Sequence, residues 1–305
     1  MSISALIVGY GSIGQRHYRI LSNLLGKDQI QVVSKQNDLS VSSIKDIMEA
    51  SYLNHDYVVI ASETQKHYED LKCIINNSNA KKILVEKPLF ETFYDFDAKD
   101  KSIFVGYNLR FHPLIIKLRD LIQRKEIKAV YCSCHSFLPD WREERHFLQS
   151  YSASSAKGGG VILDLSHEID ILLWLFGNVE IDFVKYGKFS DLNIKSEDSM
   201  FLSGHLDNGS PVELSLSYFS MVDKRQIHIV TNDATYIVDL IENVLISKGE
   251  FSQITIDNLT SFNINDTYTE QHASILEDKN NITATLNEGL NVNSFIDQIK
   301  LWKDR

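Results

Sequence analysis

The order of residues near the N-terminus leaves few folds open. Residues 3–8 form a short run rich in Ile, Leu and Val, which reads as a buried parallel strand. Gly9-Tyr10-Gly11-Ser12-Ile13-Gly14 follows at once. Residues 13–25 then place Ile13, His17, Ile20, Leu21 and Leu24 on one helical face. Strand, GxGxxG turn and helix in that order make the first unit of a sheet that binds a dinucleotide. Gly9 permits the tight turn, Gly11 lets the backbone approach a pyrophosphate, and Gly14 lets helix and strand pack closely. Ser12 and Ile13 belong to the same phosphate-facing set, at the helix N-terminus.

Strands and helices keep alternating as far as residue 110. Strands are expected at 30–33, 57–61, 83–86 and 103–107, with a helix at 67–75 and another, 114–124, leading out. This rhythm predicts a doubly wound parallel sheet for a first domain, 1–110. From residue 127 the pattern changes to strand candidates at 127–135, 181–189, 199–206, 212–219, 226–230, 235–239 and 244–247. Asp207-Asn208-Gly209-Ser210 and Asn232-Asp233 are hairpin signals between them. A second domain, 111–305, is therefore expected to hold a largely antiparallel sheet, with residues 287–302 as one amphipathic helix.

Two motifs carry chemistry. Glu86-Lys87-Pro88 ends the strand expected at 83–86, on the edge where open α/β sheets bind ligands. An ammonium fixed beside a dinucleotide points to redox chemistry on a hydroxyl or carbonyl. In the second domain Gly158-Gly159-Gly160 leads into an apolar stretch, 163–176, read as one buried helix that Gly177 stops. Asp164, His167 and Asp170 recur there at three-residue spacing and so share a helix face. A buried imidazole between carboxylates suits a proton carrier. The plainer alternative makes Asp164 an N-cap and His167 a satisfied core histidine.

The second strand should end on the residue that separates NAD from NADP, an acid for a bare ribose hydroxyl. This chain has Ser34-Lys35-Gln36, and a hydroxyl with an ammonium favours a 2′-phosphate, hence NADP. NAD stays open if Lys35 is merely solvated and Asp38 reaches back.

Composition narrows the rest. At 305 residues and 43% hydrophobic, the chain can bury the cores of two domains. Its net charge of −10, without a stripe of Lys and Arg, argues against nucleic acid. No basic segment precedes an apolar run at the N-terminus, and no stretch is long enough for a membrane span, so a cytoplasmic chain is expected. Cys73, Cys132 and Cys134 lack CxxC spacing, which suits buried thiols rather than a disulfide or a metal site.

These motifs, with Ala61-Ser62-Glu63-Thr64 and His67, and with Tyr107-Asn108-Leu109-Arg110-Phe111, resemble the Gfo/Idh/MocA family of NAD(P)-dependent oxidoreductases over nearly the whole chain. The resemblance implies an N-terminal Rossmann domain and a C-terminal α/β domain built on an open, mostly antiparallel sheet. Family members commonly pair through that sheet as homodimers or homotetramers. Lys87 corresponds to the family's lysine and His167 to its proton-transferring histidine. Ser62, Thr64, His67 and Glu86 join the cofactor-binding residues, Asn108 and Arg110 join the substrate-binding ones, and Pro88 is implied to follow a cis bond. One departure stands out: many members carry an aspartate four residues before that histidine, where this chain has Leu163. Asp164, three before it, remains the catalytic candidate.

The loop 137–152, with Trp141, Arg142, Arg145, His146 and Tyr151, resembles a subgroup encoded with bacterial surface-polysaccharide sugar enzymes. Trp141 could stack on a sugar, Arg142 or Arg145 could hold a phosphate or carboxylate, and Tyr151 could line the same pocket. An ordinary surface loop is the alternative. In mechanism, Lys87 would hydrogen-bond the substrate oxygen while a neutral His167 takes its proton. Three functions are consistent with the sequence: a sugar or nucleotide-sugar dehydrogenase, a non-catalytic dinucleotide-binding regulator, and a reductase of imines or unsaturated bonds.

Overall fold

The computed structural model describes residues 3–141, 146–250, 252–279 and 282–302. Its helices in chain order are α1 (Ser12–Leu25), α2 (Ile47–Ser51), α3 (His67–Asn77), α4 (Pro113–Ile122), α5 (Val161–Asp164), α6 (Ser166–Phe176), α7 (Ile264–Leu276) and α8 (Leu286–Lys300). The chain divides into two compact units. One joins Met1–Phe111 with Asn263–Ser294, and the other joins His112–Phe262 with Phe295–Arg305.

The first unit contains six parallel strands: β1 (Ala5–Val8), β2 (Ile30–Val33), β3 (Ser43–Ile44), β4 (Tyr57–Ile60), β5 (Lys82–Val85) and β6 (Ser102–Val105). Their order, β3-β2-β1-β4-β5-β6, reverses between β1 and β4, which opens a crevice at the carboxyl ends of those strands. Every residue of β1 and β4 is buried, as a parallel strand covered on both faces requires. Ile7, Leu21, Val32, Val59 and Leu84 share one core with Ile275 of α7.

That last contact corrects the sequence boundary. Residues 263–294, assigned by sequence to the second domain, belong to the first unit. Helix α7 was not foreseen because the residues it buries include Thr267, Gln271, His272 and Ser274, so no apolar stripe marks it.

The second unit carries β7 (Ile127–Phe137), β8 (Val179–Gly187), β9 (Ser199–Leu206), β10 (Pro211–Ser217), β11 (Phe219–Thr231), β12 (Ala234–Asp239), β13 (Val244–Gly249) and β14 (Thr255–Asn258). The sheet order is β14-β13-β12-β11-β7-β10-β9-β8, and all neighbours are antiparallel except β7 and β10. The architecture is thus the α/β fold expected, a parallel sheet and a mostly antiparallel one. The turn 207–210 joins β9 to β10, and Asn232-Asp233 joins β11 to β12, where the hairpin signals placed them. Cys132 and Cys134 are both buried, and burial pushes each thiol up to about 12.

A second correction concerns the apolar helix. The stretch read as continuous over 163–176 is two helices, broken at Leu165, whose ψ of 29° departs from helical geometry. Asp164 ends α5 and His167 lies in the first turn of α6, so their three-residue spacing does not place them on one helix face.

Candidate active site

The crevice of the parallel sheet is shaped for a diphosphate. Helix α1 starts at Gly11 with no side chain capping it, so its first amides are left to another acceptor. A β-carbon at Gly14 would lie 2.1 Å from the Gly9 carbonyl oxygen, so the helix reaches this close to the turn only because residue 14 has no side chain. At Gly11, by contrast, a β-carbon would meet nothing within 4 Å. The turn is tight on its protein side and open on its ligand side, which fits a pyrophosphate on the helix N-terminus. Ser12 is exposed and Ile13 half-buried beside it.

At the end of β2 the Ser34 side chain is buried, and its hydroxyl accepts the Gln36 amide at 3.2 Å. Lys35 is exposed. Sequence reasoning missed Lys45, whose ammonium donates to the carbonyl of Gln36 and, at 3.2 Å, to the Asn37 side chain. A second cation, just after β3, is therefore bonded to the loop that would meet the adenosine ribose.

Lys87 follows β5 and is half-buried, and the Lys87–Pro88 bond is cis, as the resemblance implies. The carboxylate of Glu86 is buried and doubly engaged: Oε2 accepts the Lys87 amide at 3.1 Å, and Oε1 lies 2.8 Å from Nε2 of His17. Burial alone would raise the Glu86 carboxyl, but the hydrogen bond from His17 and the charge of Lys87 bring it below its ordinary value. His67 is buried between carbonyls: Nδ1 lies 3.1 Å from that of Pro88 and Nε2 3.1 Å from that of Ser62. It thus ties the loop after β4 to the Lys87 turn, and burial lowers its proton affinity. The Ser62 hydroxyl donates to Asp70 at 2.5 Å, and Thr64 is half-buried two residues on.

Asn108 and Arg110 are almost fully buried within this unit. Asn108 donates to Thr267 at 2.6 Å, and the Arg110 guanidinium donates to Glu288 at 2.6 Å. Both polar side chains are thus engaged within this unit.

In the second unit His167 and Asp164 are both buried, and the Tyr218 hydroxyl donates to Asp164 Oδ2 at 2.6 Å. Burial, then the nearby Asp164 carboxylate, holds the Tyr218 phenol well above its ordinary value, so it stays a donor. Trp141 stands edge-on to the Tyr218 ring, with centroids 5.2 Å apart, and its indole N–H donates to Ser136 at 3.0 Å. Trp141 is 36% exposed, so one ring edge is held while part of its surface stays open. Tyr151 is half-buried, and Arg142 lies outside the described residues. Glu197 was not foreseen. Its carboxyl is raised by burial, and a β-carbon at Gly160 would sit 2.1 Å from Oε1, so the glycine before α5 makes room for an acid. Arg225 donates to Glu168 at 2.5 Å, anchoring the start of α6 to β11.

Residues 3–101 match the oxidoreductase family with an NAD-binding Rossmann fold, and residues 115–238 match the GFO/IDH/MocA C-terminal domain. The chain belongs to the GFO/IDH/MocA family. No curated protein matches its sequence. Among solved structures, UDP-N-acetylglucosamine 3-dehydrogenase GnnA from Acidithiobacillus ferrooxidans is 17% identical, with a TM-score of 0.78 over 99% of this chain and 97% of that one. Levoglucosan dehydrogenase in complex with NADH is 15% identical, with a TM-score of 0.83 over 98% and 96%. A super-repressor mutant of Gal80p from Saccharomyces cerevisiae is 16% identical, with a TM-score of 0.79 over 98% and 95%. At these identities the likeness is one of fold. Among the described residues of this GFO/IDH/MocA protein, no helix is long and apolar enough to cross a membrane.

Proposed function

We propose that this protein is a cytoplasmic NAD(P)-dependent oxidoreductase that transfers a hydride between the nicotinamide and a hydroxyl or carbonyl carbon of a sugar derivative. The observation that carries the reading is Lys87 at the ligand edge of an NAD-binding sheet, next to a buried carboxylate held by two hydrogen bonds. A bound nicotinamide would supply the redox partner. Lys87 then donates to the reacting oxygen and stabilises negative charge developing there, while His167 takes or returns its proton. Asp164 is already the acceptor of the Tyr218 hydroxyl, which favours a supporting role for it over proton transfer. Trp141, held by Tyr218 and Ser136, offers a ring to a sugar face, with Tyr151 and Arg142 in the same substrate set. Similarity to the two sugar dehydrogenases supports a sugar substrate, and resemblance of the 137–152 loop supports a nucleotide-linked sugar made for a bacterial surface glycan. A regulator is the second reading, supported by the likeness to Gal80p. The presence of both Lys87 and His167 favours the enzyme.

Screening matched free and nucleotide-linked sugars for cofactor-dependent turnover tests this reading. An arginine pairing with the nucleotide phosphates should separate the two forms by roughly 1.5–3 kcal/mol. Trp141→Ala should weaken substrate binding and leave cofactor affinity alone. Efficient turnover of free sugars with exclusion of nucleotide-linked ones would retire the nucleotide-sugar assignment. Absence of turnover with every sugar, despite tight cofactor binding, would favour the regulator.

The cofactor is expected to be NADP rather than NAD. Lys35 on the loop after β2, and Lys45 just after β3 bonded back to that loop, supply two cations, and no carboxylate takes the usual acidic position, so a 2′-phosphate finds partners there. In fluorescence titrations NADPH should bind tighter than NADH, and Lys45→Ala should narrow the gap. Tighter binding of NADH, unaffected by Lys35→Ala or Lys45→Ala, would overturn the preference.

A homo-oligomer formed through the open sheet is part of the same proposal. Tyr131, Phe183 and Phe201 are exposed on β7, β8 and β9, and the pairing register puts all three on the face opposite buried Cys132, Val184 and Leu202.

A further inference from the structure

Behind Glu86 lies a chain of buried polar side chains that the mechanism above does not use. His17 Nδ1 is 2.8 Å from His272 Nε2, and His272 Nδ1 is 2.9 Å from the Tyr57 hydroxyl. Tyr57, His272 and His17 are each 0% exposed, and Glu86, where the chain ends, is 6% exposed. The four residues come from β4, α7, α1 and the end of β5, all within the first unit.

The end groups fix the direction of donation. A carboxylate only accepts, so the Nε2–H of His17 must donate to Glu86. Burial keeps the His272 imidazole neutral and the Tyr57 phenol protonated, each far on the uncharged side of its ordinary value. One arrangement then gives every proton an acceptor. The Tyr57 hydroxyl donates to His272 Nδ1, His272 Nε2–H donates to His17 Nδ1, and His17 Nε2–H donates to Glu86. With the Lys87 amide on the other carboxylate oxygen, all four bonds point at Glu86. Bonds aligned in this way polarise one another.

We propose that Tyr57, His272 and His17 are positioning residues for Lys87, and that their one-way hydrogen-bond chain holds Glu86 charged and immobile beside the lysine. The inference rests on the reading of Lys87 as the group at the reacting oxygen. A buried carboxyl without the His17 donor favours its neutral form. Lys87 would then lose its anionic neighbour, and its ammonium would give up a proton more easily. The charged and titratable groups that face Glu86 are His17 from α1, Tyr57 from β4, His67 from α3 and Lys87 itself, with His272 of α7 acting through His17.

Trace labelling of the full-length protein with acetic anhydride across a pH series, read by mass spectrometry of the peptide holding Lys87, measures this without any substrate. Glu86→Gln sets the scale. His17→Leu should move the Lys87 labelling midpoint down by about one pH unit, the lower range for loss of an opposite charge nearby. Exposed Lys81 in the same digest should keep its midpoint. His17→Gln, whose amide can donate and accept across the same gap, should restore most of the shift. An unchanged Lys87 midpoint in folded His17→Leu protein overturns the proposal. If His17→Leu does not fold, Tyr57→Phe removes one oxygen from the far end and should shift Lys87 in the same direction, and no shift there also overturns it. In wild-type protein, nitrogen NMR should find both imidazoles protonated at Nε2, and an Nδ1–H on either ring would break the chain as drawn. A shifted Lys87 in a protein that turns over no sugar would sustain the positioning role while the sugar reading falls. Sugar turnover with an unshifted Lys87 would do the reverse.

Discussion

Lys87→Ala should lower turnover by about 10²–10³-fold, the loss expected when one fixed donor at a developing oxyanion is removed. Cofactor affinity should change little, because the glycine turn at the start of α1 is untouched and the residue 87 amide can still donate to Glu86. His167→Asn should cost roughly 10²–10⁴-fold, the range for a positioned general base. The two losses should differ in kind: the histidine variant loses a proton carrier and should recover partly as pH rises, whereas the lysine variant should not. Asp164→Asn should cost least, since an amide oxygen still accepts the Tyr218 hydroxyl and the start of α6 is held by Glu168 and Arg225. Steady-state kinetics on a substrate from the sugar screen, with cofactor titrations alongside, separate these effects. Near-wild-type turnover of His167→Asn would move the proton to another group and favour reduction of an imine or an unsaturated bond. Loss of cofactor binding in Lys87→Ala would make the lysine a cofactor ligand instead.

The parts legible in the sequence are those set by local chemistry. The glycine spacing, the strand before it and the helix after it place the phosphate edge within a residue or two, because Gly9 and Gly14 each answer a local steric demand. Glu86-Lys87-Pro88 was legible for the same reason. The parts that escaped are set by distant partners. His17 reads as one more residue on the α1 stripe, and its role depends on His272, 255 positions away in sequence. Helix α7 hides because the partners for its buried Gln271 and His272 lie on other elements of the first unit: Gln271 donates to the Val105 carbonyl, and His272 meets His17 and Tyr57. Arg110 was placed in the substrate set by the resemblance of residues 107–111, and its partner Glu288, 178 positions on and 2.6 Å away, could not be read from the residues near it. The break at Leu165 was masked: Asp164 and Ser166 on either side of it favour caps over helix interiors, but the apolar residues around them read as one continuous helix.

The glycine turn allows binding and folding to be separated by single methyl groups. Gly11→Ala should leave the melting temperature unchanged, because its backbone, with φ −74° and ψ −168°, suits any residue and the added carbon meets nothing within 4 Å. The same methyl would occupy the side from which a pyrophosphate approaches the α1 amides. Affinity for NADPH should therefore fall by at least about tenfold, ~1.4 kcal/mol. Gly14→Ala should behave oppositely in its first effect. Its methyl would lie 2.1 Å from the Gly9 carbonyl oxygen, a backbone atom that cannot rotate away, so α1 must shift from β1. Overpacking of this kind costs about 1–3 kcal/mol or more, which should appear as a lowered melting temperature before any cofactor is added. Affinity would fall as well, since the displaced helix carries the amides with it. Thermal melts with and without NADPH resolve the pair. Gly11→Ala should lose most of the cofactor-induced rise in melting temperature from a normal baseline, and Gly14→Ala should start from a lower one. If Gly11→Ala binds NADPH as tightly as the parent protein, the phosphates do not approach at residue 11, and the crevice must hold its ligand elsewhere along the β1 and β4 ends.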